Sequence, residues 1–354
     1  MSPDLHRAAF EAHLAETKVS VDRALGELLE KDVASVTGIR ADLGRAIGSV
    51  AELSLRGGKR FRAGLCAAAY RGYGGANSKD CVPALVALEL LQVYLLIHDD
   101  WMDGDEIRRG GKSVPAVMRE GFGAKQADAW SILAGDYACA LAQKALGSAA
   151  SNNMAAAVTC FGDMQRDVVL GQMLDVGGME QWTTLSSRDL PSIELVYRMK
   201  TGAYTVRGPL ALGAILAGAS AERVARLNEF SDALGVAFQL TDDLLSTFGT
   251  AADTGKPAFG DLREGKVTWL VMKSLSDASV REAMDGAFGC KDASEDKLSR
   301  LAKAIDASGA KDASIARARD LSQKARMALP SLELPADTTA ILSGAITALT
   351  ERAS

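Results

Sequence analysis

The stretch ALVALELLQVYLLIHDDWMD, residues 84–103, decides the fold. From Ala84 to Ile97 only Glu89 and Gln92 interrupt the apolar side chains. That run is shorter than the roughly 20 residues needed to span a bilayer, so it reads as a core helix. It ends in Asp99, Asp100 and Asp103. At 3.6 residues per turn, Asp99 and Asp103 stack on one face with Asp100 beside them. Three carboxylates at the end of an apolar helix repel one another and lose hydration, so a positive species should share them. Magnesium, held by one or two carboxylates, waters and substrate phosphates, suits this spacing better than an all-protein cage.

One acidic cluster reads equally well as a solvated helix end. A second changes the balance: Phe238-Gln239-Leu240-Thr241-Asp242-Asp243 again closes an apolar helix with paired aspartates. Two helices could therefore aim carboxylates at a common cavity. Complementary cations lie around them in Gly57-Gly58-Lys59-Arg60-Phe61-Arg62, Arg108-Arg109-Gly110, Lys200-Thr201, Lys256 and Lys266. Any one of these is a common surface charge. Together they suit an enzyme acting on two diphosphates, one held through magnesium on carboxylates and the other by Arg and Lys.

Working outward, β-branched alternation is scarce and apolar residues recur at helical spacing, as in Leu227, Phe230, Leu234 and Phe238. Short breaks fall at 71–77, 104–114, 177–184 and 250–265. No long linker divides the chain. The expectation is an all-α protein, one large helical bundle over residues 1–354. Its motif-bearing core runs over about 55–268 and more hydrophilic peripheral helices over about 282–354. The 354 residues, 48% hydrophobic and 24% charged with 8 prolines, suit a globular core. A net charge of −5 gives no field to recruit nucleic acid. Five scattered cysteines without a CxxC pair read as reduced core thiols, and the N-terminus lacks the apolar run of a signal peptide, so a cytoplasmic setting without an integral membrane segment is expected.

These segments resemble the trans-isoprenyl diphosphate synthases, the polyprenyl synthetase family, over about 55–268. The family pattern GGKRxRP stands here as Gly57 to Ala63, with Ala in place of the usual Pro. The first aspartate motif and its trailing RRG match from Asp99 to Gly110. Leu133-Ala134-Gly135-Asp136-Tyr137, Gly171-Gln172, Lys200-Thr201-Gly202 and Gly255-Lys256-Pro257 leading to 260–266 also match. Two departures stand out: Gln92 where many members have His, and Ser246 in place of the third Asp of the second motif. An amide still donates to a phosphate oxygen, so Gln92 keeps that capacity.

The resemblance implies an isoprenoid synthase type I fold, a helical bundle around a deep central cavity, a homodimer, and a head-to-tail prenyltransferase joining isopentenyl diphosphate to dimethylallyl, geranyl or farnesyl diphosphate. It assigns isopentenyl diphosphate to Lys59, Arg62, Gln92 and Arg109, with Gly58 and Gln172 among the binding residues. The allylic diphosphate goes to Arg108, Lys200, Gln239, Lys256 and Lys266, with three magnesium ions on Asp99, Asp103 and Asp242. Asp100 is expected to hold metal-bound water, and Thr201 with Gln239 to face the allylic cation. No acyl-transfer triad is needed, and His98 reads as a packing residue.

Chain length in the family is limited below the first aspartates. Tyr94 lies five residues before Asp99, about 7.5 Å down the helix, with the smaller Leu91 and Leu95 near it. This arrangement resembles geranylgeranyl diphosphate synthases, with a C20 product, and farnesyl diphosphate synthase is the alternative. A class I terpene cyclase would not need Lys59, Arg62 and Arg109, and a non-catalytic partner subunit should have lost aspartates from the first motif.

Overall fold

Alanine- and leucine-rich segments form helices because neither side chain opposes the helical backbone and both bury readily. The computed structural model describes residues 3–176, 189–249 and 258–351. The first half carries α1 (Pro3–Ile39), α2 (Ala41–Leu55), α3 (Phe61–Gly72), α4 (Ser78–Asp103), α5 (Val114–Phe122), α6 (Ala124–Leu146) and α7 (Met154–Val176). Then come α8 (Leu190–Val196), which runs into a π-helical stretch Tyr197–Arg207, α9 (Gly208–Leu216), α10 (Ala221–Ala225) and α11 (Leu227–Phe248). Shorter helices follow, then Glu295–Ala307, Ala310–Ala328 and Ala336–Thr350. Among the described residues the only strands are β1 (Ile107–Arg108) and β2 (Gly111–Lys112), an antiparallel pair in which Arg108 faces Gly111.

The chain groups into two compact units. One comprises the described residues within Met1–Phe10, Thr159–Ala211 and Ser220–Ser354, the other Glu11–Val158 and Leu212–Ala219. In the latter, α4 packs against α3 and α6, with Leu85, Leu88, Leu91 and Ile97 all but inaccessible. The helix is longer than the apolar run suggested: its 26 residues are long and apolar enough to cross a membrane by length and composition, yet they are mostly buried inside the protein. Asn77 caps its start by accepting from the Lys79 N–H. The glycine-rich break at 104–114 is a β-hairpin turning on Arg109 and Gly110, both left-handed at φ 52° and 74°.

In the other unit α11 forms the spine, burying Leu227, Phe230, Leu234 and Phe238 as their spacing predicts. The π stretch and Ala310–Ala328 pack along it. Two close backbone approaches need glycine: a Cβ on Gly235 would lie 2.7 Å from the Gly202 Cα, and one on Gly171 only 2.3 Å from the Lys200 nitrogen. The C-terminal helices are not all peripheral. In Ala336–Thr350 the side chains of Leu342, Ala345, Ile346 and Leu349 are fully buried, and the Gly344 backbone lies against the His6 carbonyl. The hydrophilic average of the tail comes from residues before this helix.

Candidate active site

Asp99, Asp100 and Asp103 occupy the last turn of α4, which Gly104 closes in a left-handed cap whose N–H donates to the Asp100 carbonyl. This is the negative end of the helix dipole, so carboxylates there gain nothing from the helix and need an external cation. Asp100 is wholly buried and ion-paired to Arg108, whose Nε donates to Oδ1 at 2.6 Å. The same guanidinium donates to Asp105 at 2.8 Å and stands 3.7 Å from Asp99. Burial pushes the Asp100 carboxyl up to about 6 in spite of Arg108. Its Oδ2 is buried without a hydrogen-bond partner. Asp99 and Asp103 are half-buried beside it.

The cations assigned to the second diphosphate gather in the same unit. Lys59 is exposed, with its Nζ 5.7 Å from the Phe61 ring centroid, and Arg62 is half-buried. Arg60, left-handed at φ 56°, turns inward instead: it donates to Asp22 at 2.8 Å, to Glu89 at 2.9 Å and to the Ser54 carbonyl at 2.9 Å. This buried hub anchors the loop and leaves Lys59 and Arg62 on either side of it. Gln92 is buried, and its Oε1 has no hydrogen-bond partner. Gly58 is left-handed at φ 105°, and a Cβ there would lie 3.7 Å from the Arg109 guanidinium. Burial pulls the Arg109 guanidinium below its ordinary value; Glu89 opposes this, while Arg60, Arg62 and Arg108 add to it. Cations crowded in this way are stabilised by a bound anion.

In the other unit, Lys200 and Thr201 lie on the π-helical stretch, a geometry found often at functional sites. Lys200 donates to Asp175 at 2.5 Å. The Thr201 hydroxyl donates to the Gln239 Oε1, and the Gln239 Nε2 donates to the Asp243 Oδ1 at 2.8 Å. The other Asp243 oxygen accepts from the Tyr197 hydroxyl, which itself accepts from the Trp269 N–H at 2.7 Å. Burial holds the Asp243 carboxyl well above the usual carboxylate range, and Asp261 adds to the shift. Asp242 is half-buried, and Lys266 contacts Glu264 at 2.5 Å. A cavity of about 100 Å³ is lined by Asp175, Lys200, Thr201, Gln239, Asp243 and Lys266 among others. Gln172 lies half-buried on α7. Lys256 falls outside the described residues, as does the break at 177–184.

The family model described as polyprenyl synthetase matches residues 45–305. The chain belongs to the polyprenyl synthetase family. It is 34% identical over 288 residues to a geranylfarnesyl diphosphate synthase of Aeropyrum pernix, covering 80% of this chain and 86% of that protein. It is 33% identical to a geranylgeranyl diphosphate synthase of Saccharolobus solfataricus, over 70% of this chain and 73% of the other. Among solved structures, a geranylgeranyl pyrophosphate synthase from Corynebacterium glutamicum, complexed with isoprenyl diphosphate and magnesium, superposes with a TM-score of 0.85. That match is 28% identical and covers 99% of this chain and 100% of the other. The chain is a prenyltransferase with the all-α type I isoprenoid synthase fold, as its motifs implied.

Among the described residues no three His, Cys, Asp or Glu side chains come together as a metal-holding group. The residues present fit magnesium in the manner the family implies. Their donors are hard carboxylate oxygens, and the orphaned Asp100 Oδ2 is an acceptor waiting for a water or a cation. Ser246 does not reproduce the third aspartate: its Oγ accepts from the Asp261 N–H at 3.4 Å, and its carbonyl accepts from the Phe259 N–H at 3.1 Å.

Three residues escaped the sequence reading. Asp175 follows Gln172 by one helical turn, a spacing that could have revealed it. Tyr197 precedes Lys200 by three residues and, as a lone aromatic, carries no signal. Arg60 lies inside a basic motif and looks like one more phosphate ligand, yet it is structural. Tyr94 is half-buried, its ring edge-on to His98 at 4.8 Å between centroids. It belongs to a cluster with Met118, Phe122 and Trp130, so it faces the α5 and α6 side. His98 packs on α6 and contacts the Ile132 carbonyl at 3.0 Å. Leu91 is fully buried and Leu95 half-buried.

Proposed function

We propose that this synthase condenses isopentenyl diphosphate head to tail with dimethylallyl, geranyl and farnesyl diphosphates and releases geranylgeranyl diphosphate. Lys59, Arg62, Gln92 and Arg109 bind isopentenyl diphosphate, with the glycine at 58 keeping the backbone open to it. Arg108, Lys200, Gln239 and Lys266, with Lys256, hold the allylic diphosphate. Lys200 and Lys266 already carry carboxylate partners, so the diphosphate must share or replace them. Asp99, Asp103 and Asp242 would hold magnesium, three ions with substrate bound. The metal supplies Lewis-acid stabilisation of the charge on departing pyrophosphate. Thr201 and Gln239 orient dipoles toward the allylic carbon as it becomes cationic. Gln172 supports the Lys200 side. The isopentenyl double bond attacks that carbon, and proton loss to the departing pyrophosphate yields the new allylic diphosphate. A single prenyltransferase domain over the whole chain belongs to the same reading.

The observation that carries the C20 reading is Tyr94, the one aromatic among the residues five, four and eight before Asp99, with Leu95 and Leu91 at the other two. A cytoplasmic homodimer belongs to the same reading. The free cysteines support the compartment, and apolar Leu170, Met173 and Leu174, left 41–64% exposed on α7, support a partner face.

The test is incubation of the protein with magnesium, isopentenyl diphosphate and each allylic starter, with products identified by mass. A C20 alcohol after dephosphorylation is expected from all three starters. A C15 limit would mark a farnesyl diphosphate synthase, and C25 would show that Tyr94 is not the floor. Cyclic hydrocarbon without isopentenyl consumption, or no turnover, would overturn the reading.

A further inference from the structure

We propose that Arg56, immediately before the glycine-rich loop, is a positioning residue that sets Arg109 for isopentenyl diphosphate; this rests on the isopentenyl assignment made above. Arg56 follows the last residue of α2 and precedes Gly57-Gly58-Lys59. Its Nη1 donates to two carbonyls of the hairpin, Arg108 and Lys112, each at 2.9 Å. Its Nη2 donates to Glu52 on α2 at 2.5 Å. One guanidinium thus ties the end of α2 to both strands of the hairpin that presents Arg109.

The hairpin is shaped to receive it. A Cβ on Gly111 would lie 2.4 Å from the Arg56 guanidinium carbon, so only glycine lets the planar group lie against the strand. Arg109 sits at the turn with φ 52°, a left-handed conformation that L-residues adopt at a cost. Among the described residues the Arg109 guanidinium makes one weak hydrogen bond that helps to place it, from Nη1 to the Leu53 carbonyl at 3.4 Å. The stronger restraint is therefore on its backbone, through Arg56. Both anchors, Glu52 and Leu53, lie on the same turn of α2, so losing Arg56 removes the stronger tie between the hairpin and the helix that carries the loop and leaves the weak Arg109–Leu53 contact. A lysine offers no planar fork and would not span two carbonyls and a carboxylate together.

Steady-state kinetics with geranyl diphosphate as the allylic substrate test this on the full chain, using Arg56→Ala, Arg109→Ala and the double variant. Arg109→Ala checks the isopentenyl assignment by itself: an unchanged KM for isopentenyl diphosphate would remove that assignment and the proposal with it. Where Arg109→Ala raises that KM, Arg56→Ala should raise it about tenfold, with the allylic KM unchanged within about twofold. In the Arg109→Ala background, Arg56→Ala should add nothing, because its effect runs through that side chain. The inference is overturned, with the isopentenyl assignment intact, if Arg56→Ala leaves the isopentenyl KM alone, raises both KM values together, or adds its full factor on top of Arg109→Ala. Should Arg56→Ala not fold, Gly111→Ala displaces the guanidinium from the hairpin side, and the same criteria apply to it.

Discussion

The ends of α4 and α11 carry nearly the same sequence pattern and neutralise their inner aspartates by different physics. Asp100 is buried against the Arg108 guanidinium, a charge-assisted pair at 2.6 Å. Asp243 is equally buried, but its two oxygens meet neutral donors, Gln239 and Tyr197, and its carboxyl is held well above the usual range. The outer positions differ too: Asp103 closes the first motif, whereas Ser246 closes the second and is taken up by the backbone of 259–261. A paired-aspartate motif therefore specifies where carboxylates stand, while the neighbours decide which of them stays charged. At α4 the Arg108 cation offsets part of the effect of burial on the inner carboxylate, and at α11 burial, with Asp261 nearby, favours the protonated form.

The largest expected effect belongs to the outer residues, where charge is needed for chemistry. Asp99→Asn should lower kcat/KM by about 100- to 1000-fold with the fold retained, as measured by initial rates beside circular dichroism. A change under threefold would mean that the first cluster is not the catalytic one. Next comes Asp100→Asn, which leaves the buried Arg108 without its closest charge partner. Its cost should be about 3 kcal/mol of stability in urea unfolding, since breaking a buried pair exposes the desolvation of the survivor. The smallest effect should follow Tyr197→Phe, which removes one neutral donor from Asp243 and one acceptor from the Trp269 N–H. A loss of about 1–2 kcal/mol is expected in the same assay. If Tyr197→Phe proves more damaging than Asp100→Asn, the contrast between an ion-paired and a neutrally bonded aspartate fails.

The helical architecture was legible because apolar periodicity at 227–238 and the long apolar run before Asp99 leave few alternatives to buried helices. The family was legible because its basic and acidic motifs occur in order along the chain. What could not be read locally was the environment of each motif residue. Arg60 and Arg62 sit two apart in one basic run, yet Arg60 is a buried hub for Asp22 and Glu89 while Arg62 is half-buried beside it. Gln239 gained its orientation from Thr201, a residue far away in sequence.

By itself, then, the sequence determined the all-α class, the order of carboxylate and cation motifs, and the family, since each depends on residue type and short-range spacing. Only the tertiary structure decided that Asp100 pairs with Arg108, that Asp243 rests on Tyr197, that Arg56 braces the Arg109 hairpin, and that Ala336–Thr350 is core. Burial and long-range hydrogen bonding set those outcomes, and both depend on which distant segments the folded chain brings to each residue.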